Sequence, residues 1–127
     1  MTTTDTTPAA RIIAALDALD VDRELIADGA TAWHNFDDLD MALVDTFESV
    51  RTIRTKVPDF RFTDVRTTAP GDDGISVARY TFRGTLPDGG DVAAHACLVV
   101  HSDGGKVTRI EEYLDTAQLA PILALLA

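Results

Sequence analysis

The stretch "RIEEYLD", Arg109 to Asp115, ends a β-type alternation on two ionisable groups, Tyr113 and Asp115. A carboxylate at the rim of an apolar cavity is desolvated, which raises its pKa towards the range of a general base. Strand alternation sends Arg109, Glu111, Tyr113 and Asp115 to one face, and Ile110, Glu112 and Leu114 to the other. A competing role exists for Asp115. It, or Thr116, can start the apolar segment "AQLAPILALL" as a helix cap by accepting backbone N–H bonds.

His95 stands mid-strand among small neighbours, "AAHAC", which leave room beside it for a ligand. A neutral imidazole there can donate to a developing oxyanion or move a proton; the alternative is a satisfied core histidine. In "AWHNF", alternation puts Trp33 and Asn35 on one face and His34 on the other. Asn35 can orient a substrate or serve as a turn residue, and Trp33 can be a pocket wall or plain core. Arg79, in "VARYTF", is a buried-strand arginine that needs a carboxylate, with Asp115 or Glu111 as its partner. Its functional reading is a clamp on a substrate carboxylate. His34, Asp37, Asp38 and Asp40 match no metal motif with mechanical logic, and acids gather at helix starts anyway, so no metal is expected. The sequence has no nucleophile elbow, P-loop, dinucleotide fingerprint or zinc-protease motif, and no cofactor is called for.

These residues need elements to position them. Thr7 and Pro8 form a helix start, and Ala9, Ile12, Ile13, Leu16 and Leu19 follow at helical spacing. A second short helix is expected around "DVDRELIADG", with Gly29 as its stop. "ATAWHNF" reads as extended. From Asp38 the helical period returns through Leu39, Leu43, Phe47 and Val50, and Pro58 ends it. Four β-type runs then follow, separated by "APGDDG", "TLPDGG" and "SDGGK", which is the turn chemistry of an antiparallel meander. In "VAAHACLVV" both parities are largely apolar, predicting a strand covered on both faces. The class is α+β: a curved antiparallel sheet with three helices before it and a short one after it, enclosing an apolar pocket.

At 127 residues the chain is one domain, with residues 1–7 a polar lead-in and 8–127 the folded unit. A net charge of −10 argues against nucleic acid and against an anionic membrane surface. The single cysteine, Cys97, excludes an intrachain disulfide and fits a reducing cytoplasm.

The order of "AWHNF", "VPDFRF", "VARYTFRGTLPDG" and "DGGKVTRIEEYLD", closed by a short apolar helix, resembles the SnoaL-like family of the nuclear-transport-factor-2-like superfamily. The resemblance spans residues 8–126 and implies a cone of curved sheet closed by helices, commonly a homodimer through the sheet face. It implies a polyketide cyclase or isomerase acting on a small apolar carbonyl compound. In those cyclases the aspartate that ends the last strand is the acid/base, the place of Asp115, and His95 is the candidate supporting group. Trp33, Asn35, Arg79 and Asp115 also resemble part of the limonene epoxide hydrolase pattern, but its second aspartate is Thr81 here. No tyrosine in the first helix offers the oxyanion donor of ketosteroid isomerase. A non-catalytic binding or dimerisation module on the same fold is the alternative, one in which Asp115 is spent as a cap.

Overall fold

The computed structural model describes residues 6–127, so the expected lead-in lies outside the described residues except for Thr6 and Thr7. Thr7 accepts from the Ala10 amide at 3.3 Å and caps α1 (Pro8–Ala18), whose Ile12, Ile13 and Leu16 are buried. The helix expected over "DVDRELIADG" does not form. The Asp22 carboxylate instead accepts from the amides of Glu24 (3.0 Å) and Leu25 (3.2 Å) and meets Arg11 at 3.1 Å. Such local side-chain bonds offer the backbone an alternative to the helix. The chain then enters β1 (Ile26–His34), and Gly29, at φ +73°, sits inside that strand where its register slips against its neighbour.

Residues 39–42 also depart from the helical reading. They form β2 (Leu39–Ala42) on the edge of β1, and α2 begins only at Leu43 (Leu43–Lys56). Leu39 is 63% exposed, so the apparent helical stripe began one turn too early. The meander is as expected: β3 (Arg61–Thr67), β4 (Ile75–Thr85), β5 (Asp91–Asp103) and β6 (Lys106–Leu114), followed by α3 (Thr116–Leu126). The α+β class therefore holds, with two helices rather than three ahead of the meander. The six strands lie in the order β2-β1-β6-β5-β4-β3, and β1 runs parallel to β6, which makes this curved, unclosed sheet mixed.

The helices cover one face of the sheet. Phe62, Tyr80, Phe82, Ala94, Leu98 and Ile110 point into that core. Phe60, Phe62 and Phe82 pack with ring centroids 4.8–6.3 Å apart, and Tyr80 joins them at 5.2–5.3 Å. The expectation of a doubly covered β5 is corrected here. Its Val92, Ala94, Ala96, Leu98 and Val100 are buried, but Ala93 and His95 are exposed and Cys97 and Val99 half-buried. In this chain the outer face of the sheet lies open. Among the described residues no helix is long and apolar enough to cross a membrane.

Candidate functional site

Alternation along β6 divides the residues as the sequence implied, but the face that Asp115 shares is the outer one. Tyr113 and Asp115 are exposed, while Ile110, Glu112 and Leu114 are buried towards the helices. His95, Arg79, Tyr113 and Asp115 come together around a depression of about 680 Å³ on that outer face, with Cys97 and Thr81 between them. His95 Nδ1 is 3.1 Å from the Thr81 hydroxyl, and its backbone N–H donates to Gln118 Oε1 at 2.9 Å. Asp115 is the N-cap of α3: its Oδ1 accepts from the Gln118 amide at 3.1 Å.

Asn35 and Trp33 do not join that group directly. Asn35 works as a backbone surrogate, donating from Nδ2 to the Leu114 carbonyl and accepting from the Leu114 amide, both at 3.1 Å. It thereby prolongs the β1–β6 pairing beyond the end of β1. The Trp33 indole N–H donates to Asp38 at 2.9 Å, and its ring lies 5.1 Å from that of Tyr113. The carboxylate partners expected for Arg79 are engaged elsewhere. Glu111 binds His101 (2.7 Å) and Arg109 (3.4 Å), and Arg109 binds Asp40 (2.9 Å). The hydrogen bond from His101, with Arg109 beside it, holds the Glu111 carboxyl below the usual range. Arg79 itself is exposed. The Cys97 thiol is pushed up by burial, partly offset by Arg79, so it is no activated nucleophile.

The helix side of the sheet holds a second constellation. Glu112 projects between Ile110 and Leu114 into the core and is 9% exposed. The Tyr80 hydroxyl donates to its Oε2, and His34 Nε2 lies 3.8 Å from its Oε1. His34 is 7% exposed, its Nδ1 is buried without a hydrogen-bond partner, and Phe36 lies 5.1 Å from its ring. Burial raises the Glu112 pKa, although His34 and the Tyr80 bond pull it down. Burial beside Glu112 pushes Tyr80 well above the ordinary phenol range. Three strands supply the groups: His34 on β1 stands in register with Glu112 on the neighbouring β6, and Tyr80 reaches across β5 from β4. The set can hold and exchange a proton away from water.

No protein-family model matches the sequence, and no curated protein matches it. Solved structures do. IdmH of Streptomyces antibioticus, named as a candidate polyketide cyclase, superposes with a TM-score of 0.73 at 18% identity, over 92% of this chain and 96% of that one. A Catenulispora acidiphila protein described as having a ketosteroid isomerase-like fold, solved with trimethylamine, gives 0.70 at 14%, over 94% and 93%. A candidate isomerase from Bacillus subtilis gives 0.69 at 12%, over 92% and 90%. The chain shares the fold of these proteins, the nuclear-transport-factor-2-like cone. At such identities the likeness speaks for the fold alone.

Within this cone, Glu112, Tyr80 and His34 are the residues that reasoning from sequence passed over. The signal was present in "RIEEYL": Glu112 shares its parity with Ile110 and Leu114, so a strand burying those two must bury the glutamate as well. Attention to Asp115 as the terminal carboxylate obscured it.

Proposed function

We propose that this protein is a cofactor-independent acid/base enzyme of the cyclase or isomerase kind, acting on a small, mostly apolar carbonyl compound. The observation that carries the reading is Glu112, a carboxylate buried in an apolar core, bonded by the Tyr80 hydroxyl and with His34, 3.8 Å away, as the basic group beside it. Burying a carboxylate costs several kcal/mol unless it is paired, and well-packed apolar residues would stabilise the same position at lower cost. Burial raises its pKa above the ordinary carboxylate range, the direction in which a carboxylate becomes a stronger base.

In this reading Glu112 takes a proton from the carbon beside a carbonyl, leaving an enolate. In an isomerisation the same carboxyl returns the proton to a different carbon. In a cyclisation the enolate carbon attacks a second carbonyl and the new alkoxide takes the proton. Tyr80 and His34 hold the carboxyl in place, and the unpartnered Nδ1 of His34 is free to donate to, or accept from, a substrate oxygen. For substrate to reach the cluster, the turn at 35–38 or α3, whose Leu119 and Ile122 are buried, would have to give way.

The test is hydrogen–deuterium exchange at the acidic carbon of small ketones and 1,3-dicarbonyls in D₂O, followed by NMR. Wild type should accelerate exchange and Glu112→Gln should lose about 100-fold or more, the usual worth of a positioned general base. Equal exchange by a folded Glu112→Gln protein would sink the reading.

A second reading is favoured by the convergence of His95, Asp115, Arg79 and Tyr113 on one depression. There Asp115 would be the acid/base, His95 its supporting group, and Arg79 and Tyr113 the substrate-binding side, with Trp33 packed against the Tyr113 ring. Asp115→Asn separates the roles, because asparagine caps a helix about as well as aspartate but takes no proton. Unchanged turnover in that variant removes Asp115 from the chemistry.

A further inference from the structure

The pairing of β3 with β4 carries an irregularity. Thr63 stands opposite Thr81, but Arg66 stands opposite Arg79, so β3 spends one residue more than β4 between these two pairs. With uninterrupted pairing Arg66 would face Ala78, whose side chain is wholly buried on the helix side. The bulge is made by Asp64 in a left-handed conformation, φ +54°, which is unfavourable for a residue other than glycine. Its effect is to bring Arg66 out beside Arg79.

Two like charges directly opposite each other weaken a sheet. Neither arginine has an ion pair or hydrogen bond to a carboxylate among the described residues, in a chain with a net charge of −10. The two acids that line the same depression are committed elsewhere. Asp64 binds Arg83 at 3.0 Å, and Asp115 caps α3. The register continues from Arg79 to Cys97 and from Cys97 to Tyr113, so one row crosses four strands from a cationic end to an aromatic one. All four residues line the depression, and Tyr113 is 47% exposed.

We infer that this depression binds a carboxylate carried on a flat apolar body. The carboxylate lies between the Arg66 and Arg79 guanidiniums, whose planar forks match it, and the body lies over Cys97 against the Tyr113 ring. Strand spacing puts Tyr113 about 10 Å from Arg79, which fits an aromatic acid of two fused rings. The site lies on the face of the sheet opposite Glu112 and does not depend on chemistry there. It shares its depression with the Asp115 reading but requires no proton transfer by Asp115.

The probe is 2-naphthoate, titrated into the full chain by calorimetry, with 2-naphthamide as the uncharged control. Wild type should bind naphthoate at least about 10-fold more tightly than the amide, and Arg79→Gln and Arg66→Gln should each remove most of that difference. Binding should weaken at high ionic strength. Glu112→Gln should leave it unchanged, and Asp115→Asn should keep or tighten it, so failure here is distinguishable from failure of either catalytic reading. Since each substitution relieves like-charge repulsion, neither arginine variant should melt below wild type. Equal binding of acid and amide overturns the inference. So does a lower melting temperature in the arginine variants, or an effect on sedimentation alone, which would assign the arginines to a contact between copies of the chain.

Discussion

The Tyr80–Glu112 contact yields the sharpest test of the interior cluster. Tyr80→Phe removes one hydroxyl from a core that holds its ring between Phe62 and Phe82, so shape is preserved and only the donor is lost. A hydrogen bond between neutral groups is worth about 1 kcal/mol, while one to a charged group is worth about 1.5–3 kcal/mol. The cost of the substitution therefore depends on whether Glu112 is ionised. Since the Tyr80 bond lowers the Glu112 pKa, its removal raises that pKa further.

The sign of the pH dependence follows from linkage. Glu112 in the folded protein already titrates above its unfolded value, so the folded state holds the extra proton between the two. Stability on this account falls as pH rises from the ordinary glutamate range through the raised pKa, and it falls further in Tyr80→Phe. Urea unfolding at about pH 4.5 should give a deficit near 1 kcal/mol for Tyr80→Phe, growing to about 2–3 kcal/mol at about pH 8. In the Glu112→Gln background, where no charge can form, the deficit should stay near 1 kcal/mol at both values, giving a coupling of about 1–2 kcal/mol at the higher pH. A deficit independent of pH and identical in both backgrounds would refute the view that Glu112 ionises inside the fold and that Tyr80 serves its charge.

Three further outcomes are expected. Asp115→Ala should lose about 1 kcal/mol with its cap on α3 and Asp115→Asn almost nothing, a difference readable in thermal melts. Asn35→Ala leaves the Leu114 amide and carbonyl without their partner and should cost about 1–3 kcal/mol, with faster amide exchange at Leu114 by NMR. Gly74→Ala should be among the most damaging single changes: φ there is +77°, and an added Cβ would stand 2.2 Å from the Ser102 carbonyl oxygen. Circular dichroism melts of that variant should fall by well over the shift seen for Asp115→Ala.

Local signals in the sequence were readable wherever one physical preference acted alone. The Thr7–Pro8 start, the Ile12, Ile13 and Leu16 spacing and the Gly/Asp turns between the meander strands each have a single reading, and each appears in the fold. Misreadings fell where two preferences competed. "DVDRELIADG" has helical spacing, but Asp22 gathers two amides in a turn and Leu25 leads into a strand, so local hydrogen bonding prevailed. Leu39 and Leu43 stand four apart, yet only Leu43 is buried, because residues 39–42 find backbone partners on β1. The parallel β1–β6 pairing was invisible from sequence, since it depends on distant segments meeting.

The site was legible in its parity and illegible in its polarity. Alternation grouped Tyr113 with Asp115 and Glu112 with Ile110 and Leu114, and within "RIEEYLD" only those two apolar residues favour the second group as the one that meets the helices. That decision belongs to β4 and β5: Ala78, Tyr80 and Phe82, with Ala94, Ala96 and Leu98, bury a face too apolar to leave in water. Through the antiparallel register they commit Ile110, Glu112 and Leu114 to the same side. The buried carboxylate is thus placed by the apolar pattern of neighbouring strands, and its cost is met by a tyrosine two strands away. Glu112, held at such expense by His34 and Tyr80 from two other strands, is the kind of group that the proposed proton transfer requires.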